Sequence, residues 1–127
     1  MKRFFIILLA FSAVLCGCSQ NGGRPETVAR KFCEAMYDND MARAKTYMVP
    51  EYAKRTPDVI QATPKQFASY KRSLKRAKCK VFPDEYLPDM CVTVRFYIPS
   101  SPKERWLACS MEMEKVDGCW KVTTYGY

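Results

Sequence analysis

Asp117-Gly118 sits between two runs whose apolar residues recur at every second position. Both residues tolerate the positive φ angles of a two-residue hairpin turn, so the pair commits the chain to antiparallel sheet. Before it, "RWLACSMEMEK" predicts a strand with Leu107, Cys109, Met111 and Met113 inward. After it, "CWKVTTYGY" returns with Trp120 and Val122 on the same face as Met113 and Met111. Upstream, "MCVTVRFYI" alternates, with Val92, Val94, Phe96 and Ile98 on one side and Cys91, Thr93, Arg95 and Tyr97 on the other. "CKVF" reaches it through the turn region "PDEYLPD", and "PSSPKE" links it to the next strand.

The first half carries the helical period instead. In "RPETVARKFCEAMY", Pro25 suits a first helical turn and Glu26 its positive end. Val28, Phe32, Ala35 and Met36 share one face, with Cys33 at its edge. "DND" ends this helix, with Asn39 able to take a left-handed conformation. Asp40 starts a second short helix that turns Met41, Ala44 and Met48 inward, and "VPEYAKRTP" is a connector with room for one helical turn. In "TPKQFASYKRSLKRAK", Thr63 caps, Pro64 takes the first position and Gln66 closes a capping box. Phe67, Tyr70, Leu74 and Ala77 form the expected buried stripe, and Lys71, Arg72, Lys75 and Arg76 a basic flank. Helices followed by an antiparallel meander of about four strands give an α+β class.

The N-terminus is an address. Lys2 and Arg3 precede an apolar run from Phe4 to Leu15, too short for a comfortable membrane span. It ends in "LCGC", which resembles the bacterial lipobox, with Leu15 three residues and Gly17 one residue before Cys18. Cys16 is excluded as the modified residue because bulky Leu15 would directly precede it. The resemblance implies removal of residues 1–17, a lipid on the Cys18 sulfur, and "SQNGGR" as a flexible tether over residues 18–24, leaving a domain over 25–127. The tether has no acidic run, so the expected place is the bacterial envelope, on the periplasmic face of the outer membrane.

Losing Lys2 and Arg3 takes the formal charge from +8 to +6. The domain is long enough for one core. There is no histidine, so His-based triads and mixed Cys/His zinc sites are excluded. Cys33, Cys79, Cys91, Cys109 and Cys119 show no CxxC spacing, and in an oxidising compartment they read as disulfide partners, with no metal site and no cofactor. Cys79 and Cys91 are expected to pair across the first hairpin, because a turn centred near Glu85 would set them opposite one another. Cys109–Cys119 is disfavoured, since the Asp-Gly turn places Val116 against Cys119; an approach of Cys109 to Cys33 beneath the first helix stays open.

Two stretches carry a resemblance. "PETVARKFCEAMYDNDMARAKTYM" and the closing "MEKVDGCWKV" are similar to the opening and last hairpin of small bacterial lipoproteins of unknown function with a cystatin-like, or nuclear-transport-factor-2-like, fold. The resemblance spans about residues 25 to 125 and implies helices packed on a strongly curved sheet that leaves a cone-shaped pocket. It implies no activity.

Function then has two candidate carriers. Phe32, Met36, Phe67, Tyr70, Met111, Met113 and Trp120 either line an apolar ligand pocket or simply fill the core. The basic flank Lys71, Arg72, Lys75 and Arg76 either touches a membrane or acidic partner or is a solvated face. No carboxylates converge by spacing to supply a general acid and base, so no catalytic residue is nominated. The expectation is a lipid-anchored, non-enzymatic envelope protein that binds a protein partner or a small apolar ligand, not nucleic acid. The alternative is a pocket enzyme of isomerase or dehydratase type.

Overall fold

The computed structural model describes residues 23–99 and 105–126. The expected signal, Cys18, most of the tether and the "PSSPKE" loop beyond Pro99 lie outside them. Among the described residues four helices come first: α1 (Pro25–Tyr37), α2 (Met41–Lys45), α3 (Pro50–Arg55) and α4 (Pro64–Arg76). Four strands follow: β1 (Lys78–Pro83), β2 (Cys91–Ile98), β3 (Arg105–Val116) and β4 (Cys119–Gly126), in the spatial order β1-β2-β3-β4 and all antiparallel. The class is α+β, with helices followed by an open four-stranded antiparallel sheet.

Local chemistry sets most boundaries. α1 has Pro25 in its first turn and Glu26 at its positive end, and it stops at Asn39, which holds φ 55°. The Asp40 carboxylate accepts the Arg43 backbone N–H at 3.1 Å and so caps α2. Thr63 and Gln66 form a reciprocal capping box at the start of α4: Gln66 N–H donates to Thr63 Oγ1 (3.1 Å) and Thr63 N–H to Gln66 Oε1 (2.8 Å). Asp117 and Gly118 turn the last hairpin with φ 52° and 80°, and Val116 faces Cys119. The connector after α2 holds more structure than one turn's worth of sequence signal suggested, since Pro50 starts the six-residue α3.

α1 lies across the sheet and touches all four strands. Val28, Phe32, Ala35 and Met36 are buried as the helical period requires, and they meet Val92, Val94, Phe96, Met111, Met113, Trp120 and Val122 from the strands. Phe32 packs its ring edgewise on Tyr125, centroids 5.7 Å apart. The outer edge of β4 is partly covered, because Val122 N–H donates to Tyr47 O (2.7 Å) and Val49 N–H to Val122 O (2.9 Å). Register shifts fall between Arg95 and Tyr97 in β2 and between Glu112 and Met113 in β3. Such irregularities add local twist and bend.

Two expectations need correction. The α4 stripe is buried only at its C-terminal end: Leu74 and Ala77 enter the core, Phe67 is half-buried, and Tyr70 is 40% exposed. Tyr70 instead leans on Tyr37, centroids 5.3 Å apart. Cys79 and Cys91 do not pair; both are free thiols. Cys79 stands opposite Phe96, and the β1–β2 register puts the turn midpoint between Leu87 and Pro88, not near Glu85. That shift also reverses a face, so Cys79 packs against the core while Cys91, opposite Glu114, points away from it.

Candidate functional site

The β1–β2 loop, residues 84–90, is a built structure and not a tight turn. The Asp84 carboxylate accepts the backbone N–H groups of Tyr86 (3.0 Å) and Leu87 (2.9 Å). Such side-chain capping is what favours Asp at the start of a turn. Asp84 N–H donates to Cys91 O at 3.0 Å, and Met90 and Cys91 N–H both donate to Leu87 O. Lys115 N–H donates to Met90 O at 2.8 Å, which fastens the loop to the last hairpin.

With its backbone held this way, the loop carries large apolar side chains outward. Tyr86 is 84% exposed, Leu87 55% and Met90 46%. Phe82 and Val116 are also exposed, on the sheet face away from the helices and at the same end. Asp84, Glu85, Asp89, Glu112, Glu114 and Asp117 are exposed around them, so nearly half of the chain's acidic residues surround this end of an otherwise basic molecule. Isolated exposed apolar residues are ordinary, but a cluster with a polar rim marks an interaction surface.

A second feature is a cleft of about 230 Å³ between α1 and α4, lined by Arg30, Glu34, Asp38, Lys71, Leu74 and Lys75. Its charged groups are largely committed to the fold. Arg30 donates to Leu74 O (2.9 Å) and Ala77 O (3.1 Å), closing the last turn of α4, while its guanidinium lies 5.1 Å from the Phe96 ring centroid. Asp38 bridges Lys71 (2.6 Å) and Arg43 (2.8 Å), and hydrogen bonds from these two cations hold its carboxyl below the usual range.

The third feature lies in the core. Cys33 on α1 and Cys109 on β3 are fully buried with their sulfurs 3.5 Å apart, Cys33 donating. Tyr37 hydrogen-bonds Tyr125 and Cys109. Burial, then the neighbouring Cys109, Cys33 and Tyr125, pushes the Tyr37 hydroxyl far up. Burial, then the bond to Cys109, pushes the Cys33 thiol up, while the hydrogen bond from Cys33, and then that from Tyr37, brings Cys109 down.

The residues singled out from the sequence fall into three places. Phe32, Met36, Met111, Met113 and Trp120 are packed together in the core, and Phe67 and Tyr70 lie on α4 outside it. Of the basic flank, Lys71 is tied to Asp38, Lys75 lines the cleft, and Arg72 and Arg76 are exposed on α4. Cys18 lies outside the described residues. The apolar loop was missed, although Tyr86, Leu87 and Met90 within a Pro/Asp-rich turn were a usable signal.

Among the described residues no three Cys, Asp or Glu side chains gather closely enough to hold a metal ion, and no helix is long and apolar enough to cross a membrane. No family model and no curated protein matches the chain.

Proposed function

We propose that this is a lipid-anchored, non-enzymatic protein of the bacterial envelope that docks a protein partner through the β1–β2 loop. The domain is read as a cystatin-like, or nuclear-transport-factor-2-like, fold, and the two register shifts that bend the sheet support that reading. Cys18 carries the lipid, and the tether holds the domain at the periplasmic face of the outer membrane.

The observation that carries the docking is the hydrogen-bonded loop presenting Tyr86, Leu87 and Met90 to solvent inside an acidic rim. A loop already fixed in shape loses little entropy on binding, and aromatic and Met anchors dominate interface energetics. The partner that fits has an apolar socket with basic residues around it. A partner is favoured over a small apolar ligand because Phe32, Met36, Met111, Met113 and Trp120 pack against one another in the core. The pocket-enzyme alternative would call for a buried carboxylate beside a tyrosine hydroxyl. Tyr37 has cysteines and Tyr125 beside it, and every carboxylate whose burial is described is at least partly solvent-accessible.

The test is a photo-crosslinking amino acid placed singly at Tyr86, at Leu87 and, as a control, at Arg55 in the full-length lipidated protein in cells. Discrete protein adducts at 86 and 87, absent at 55 and lost when Met90 is changed to Asp, are expected. Adducts of equal pattern at all three positions, or none at 86 and 87, overturn the docking reading. Tyr86→Ser and Leu87→Ser are expected to change folding stability by less than about 0.5 kcal/mol, measured by denaturant melts, because neither side chain enters the core.

A further inference from the structure

We propose that Cys33 and Cys109 form a cross-linking site: an intramolecular disulfide that fastens α1 to the middle of the sheet. Cys33 lies midway along α1, the first element after the tether, and Cys109 lies on β3, an interior strand. Both side chains are fully buried, and their sulfurs stand 3.5 Å apart, in van der Waals contact and about 1.5 Å beyond bonding distance. Small side-chain rotations close such a gap. Cys79 and Cys91 have no comparable opportunity with one another, since they project from opposite faces of the sheet.

The chemistry is thiol–disulfide exchange with a disulfide oxidant, either a small-molecule disulfide or a protein dithiol oxidase. One cysteine thiolate attacks an oxidant sulfur, and the oxidant's other sulfur leaves as a thiolate. The second cysteine thiolate then attacks the mixed disulfide at the first cysteine's sulfur, forming the Cys33–Cys109 bond and expelling the oxidant's remaining thiolate. The two cysteines lose two protons and two electrons; the oxidant gains both electrons and takes up the protons as two thiols. Because both sulfurs are shielded in the folded domain, the first attack occurs before α1 has docked or during its transient release. Once formed, the bond is shielded from reductant by the same packing.

The two cysteines are 76 positions apart, so the bond closes a long loop and restricts the unfolded chain strongly. Its formation in cells rests on the oxidising compartment proposed above; the site itself rests only on the packing of α1 against β3.

The experiment refolds the full-length protein from urea into detergent with reduced and oxidised glutathione, then alkylates, digests with trypsin and maps it without reduction. A linked pair joining the peptides Phe32–Arg43 and Trp106–Lys115 is expected, unchanged by Cys79→Ala and Cys91→Ala and lost in Cys33→Ala. The oxidised protein should melt on the order of 10 °C or more above the same protein in dithiothreitol. Making that comparison with Cys119→Ala in both buffers keeps any other disulfide of Cys119 from contributing, and it does not depend on a poorly folding Cys33→Ala. Free thiols at 33 and 109 after refolding, either residue linked elsewhere, or equal melting in the two buffers would overturn the site. Alkylation in intact cells separates the two proposals: linkage in cells supports both, while linkage in glutathione buffer with free thiols in cells upholds the site and refutes the oxidising compartment.

Discussion

At the scale of single residues, a few side chains hold positions no other residue type fills as well. Gly118 turns the last hairpin at φ 80°, where an added Cβ meets no neighbour, so Gly118→Ala is penalised by backbone strain alone. The expected loss is about 1 kcal/mol, read from a denaturant melt. Asp38 joins α1, α2 and α4 through Lys71 and Arg43. Its carboxyl is held below the unfolded value by those hydrogen bonds, so its contribution is complete above the unfolded pKa and is lost as pH falls through the folded one. The group is partly exposed, so screening keeps the effect small. Asp38→Asn is expected to lose less than about 1 kcal/mol at neutral pH. The gap from the unsubstituted protein should close in acid or high salt; a gap that persists at low pH would show that charge is not the cause. Gly118, the Asp40 and Thr63 caps and Asn39 were legible because their signals are local; the Asp38 bridge was not, because it depends on α1, α2 and α4 meeting in space. The nearness of Cys33 to Cys109 was not fixed in the same way, since it depends on how α1 lies across β3 and sequence periodicity placed Cys33 only at the edge of its face.

At the scale of elements, alternation and the helical period identified every strand and the two long helices, but not how far each element docks. The stripe on α4 reads as continuous from Phe67 to Ala77, yet only Leu74 and Ala77 are in the core. The half toward Thr63 rises away, where Tyr70 meets Tyr37. The first hairpin failed for a related reason. A Pro/Asp-rich segment has several equally good turn centres, and the one chosen is set by Asp84 capping Tyr86 and Leu87. The same loop then became the surface on which function is proposed. α1 touches all four strands, and Phe32→Ala is expected to lose about 3–5 kcal/mol, a large part of the roughly 5–15 kcal/mol that holds a domain folded, read from a denaturant melt. The basic flank of α4 belongs at this scale too. Lys71→Glu would break the Asp38 bridge as well as reverse charge, so Arg72→Glu with Lys75→Glu is the cleaner change. If the flank contacts anionic bilayers, an unlipidated form should sediment with anionic vesicles at low salt and the double variant should not. No sedimentation of the parent would identify a solvated face.

At the scale of the whole molecule, the proposed function joins a lipid anchor ahead of α1 to a docking surface on the β1–β2 loop. α1 is the first described helix and touches all four strands, so a pull from the proposed lipid anchor would pass into the domain through it. The β1–β2 loop is built where β1, β2 and the last hairpin converge, and its acidic rim would be repelled by anionic lipid while the α4 flank would not. The proposed tether would concentrate the exposed loop for a partner in the same compartment. All of this depends on lipidation at Cys18 and not at Cys16. The direct measurement is fractionation of cells producing the unsubstituted protein, Cys16→Ser or Cys18→Ser. The first two are expected to stay with membranes and Cys18→Ser to appear in the soluble fraction. Retention of Cys18→Ser on membranes, or release of Cys16→Ser, would contradict that assignment.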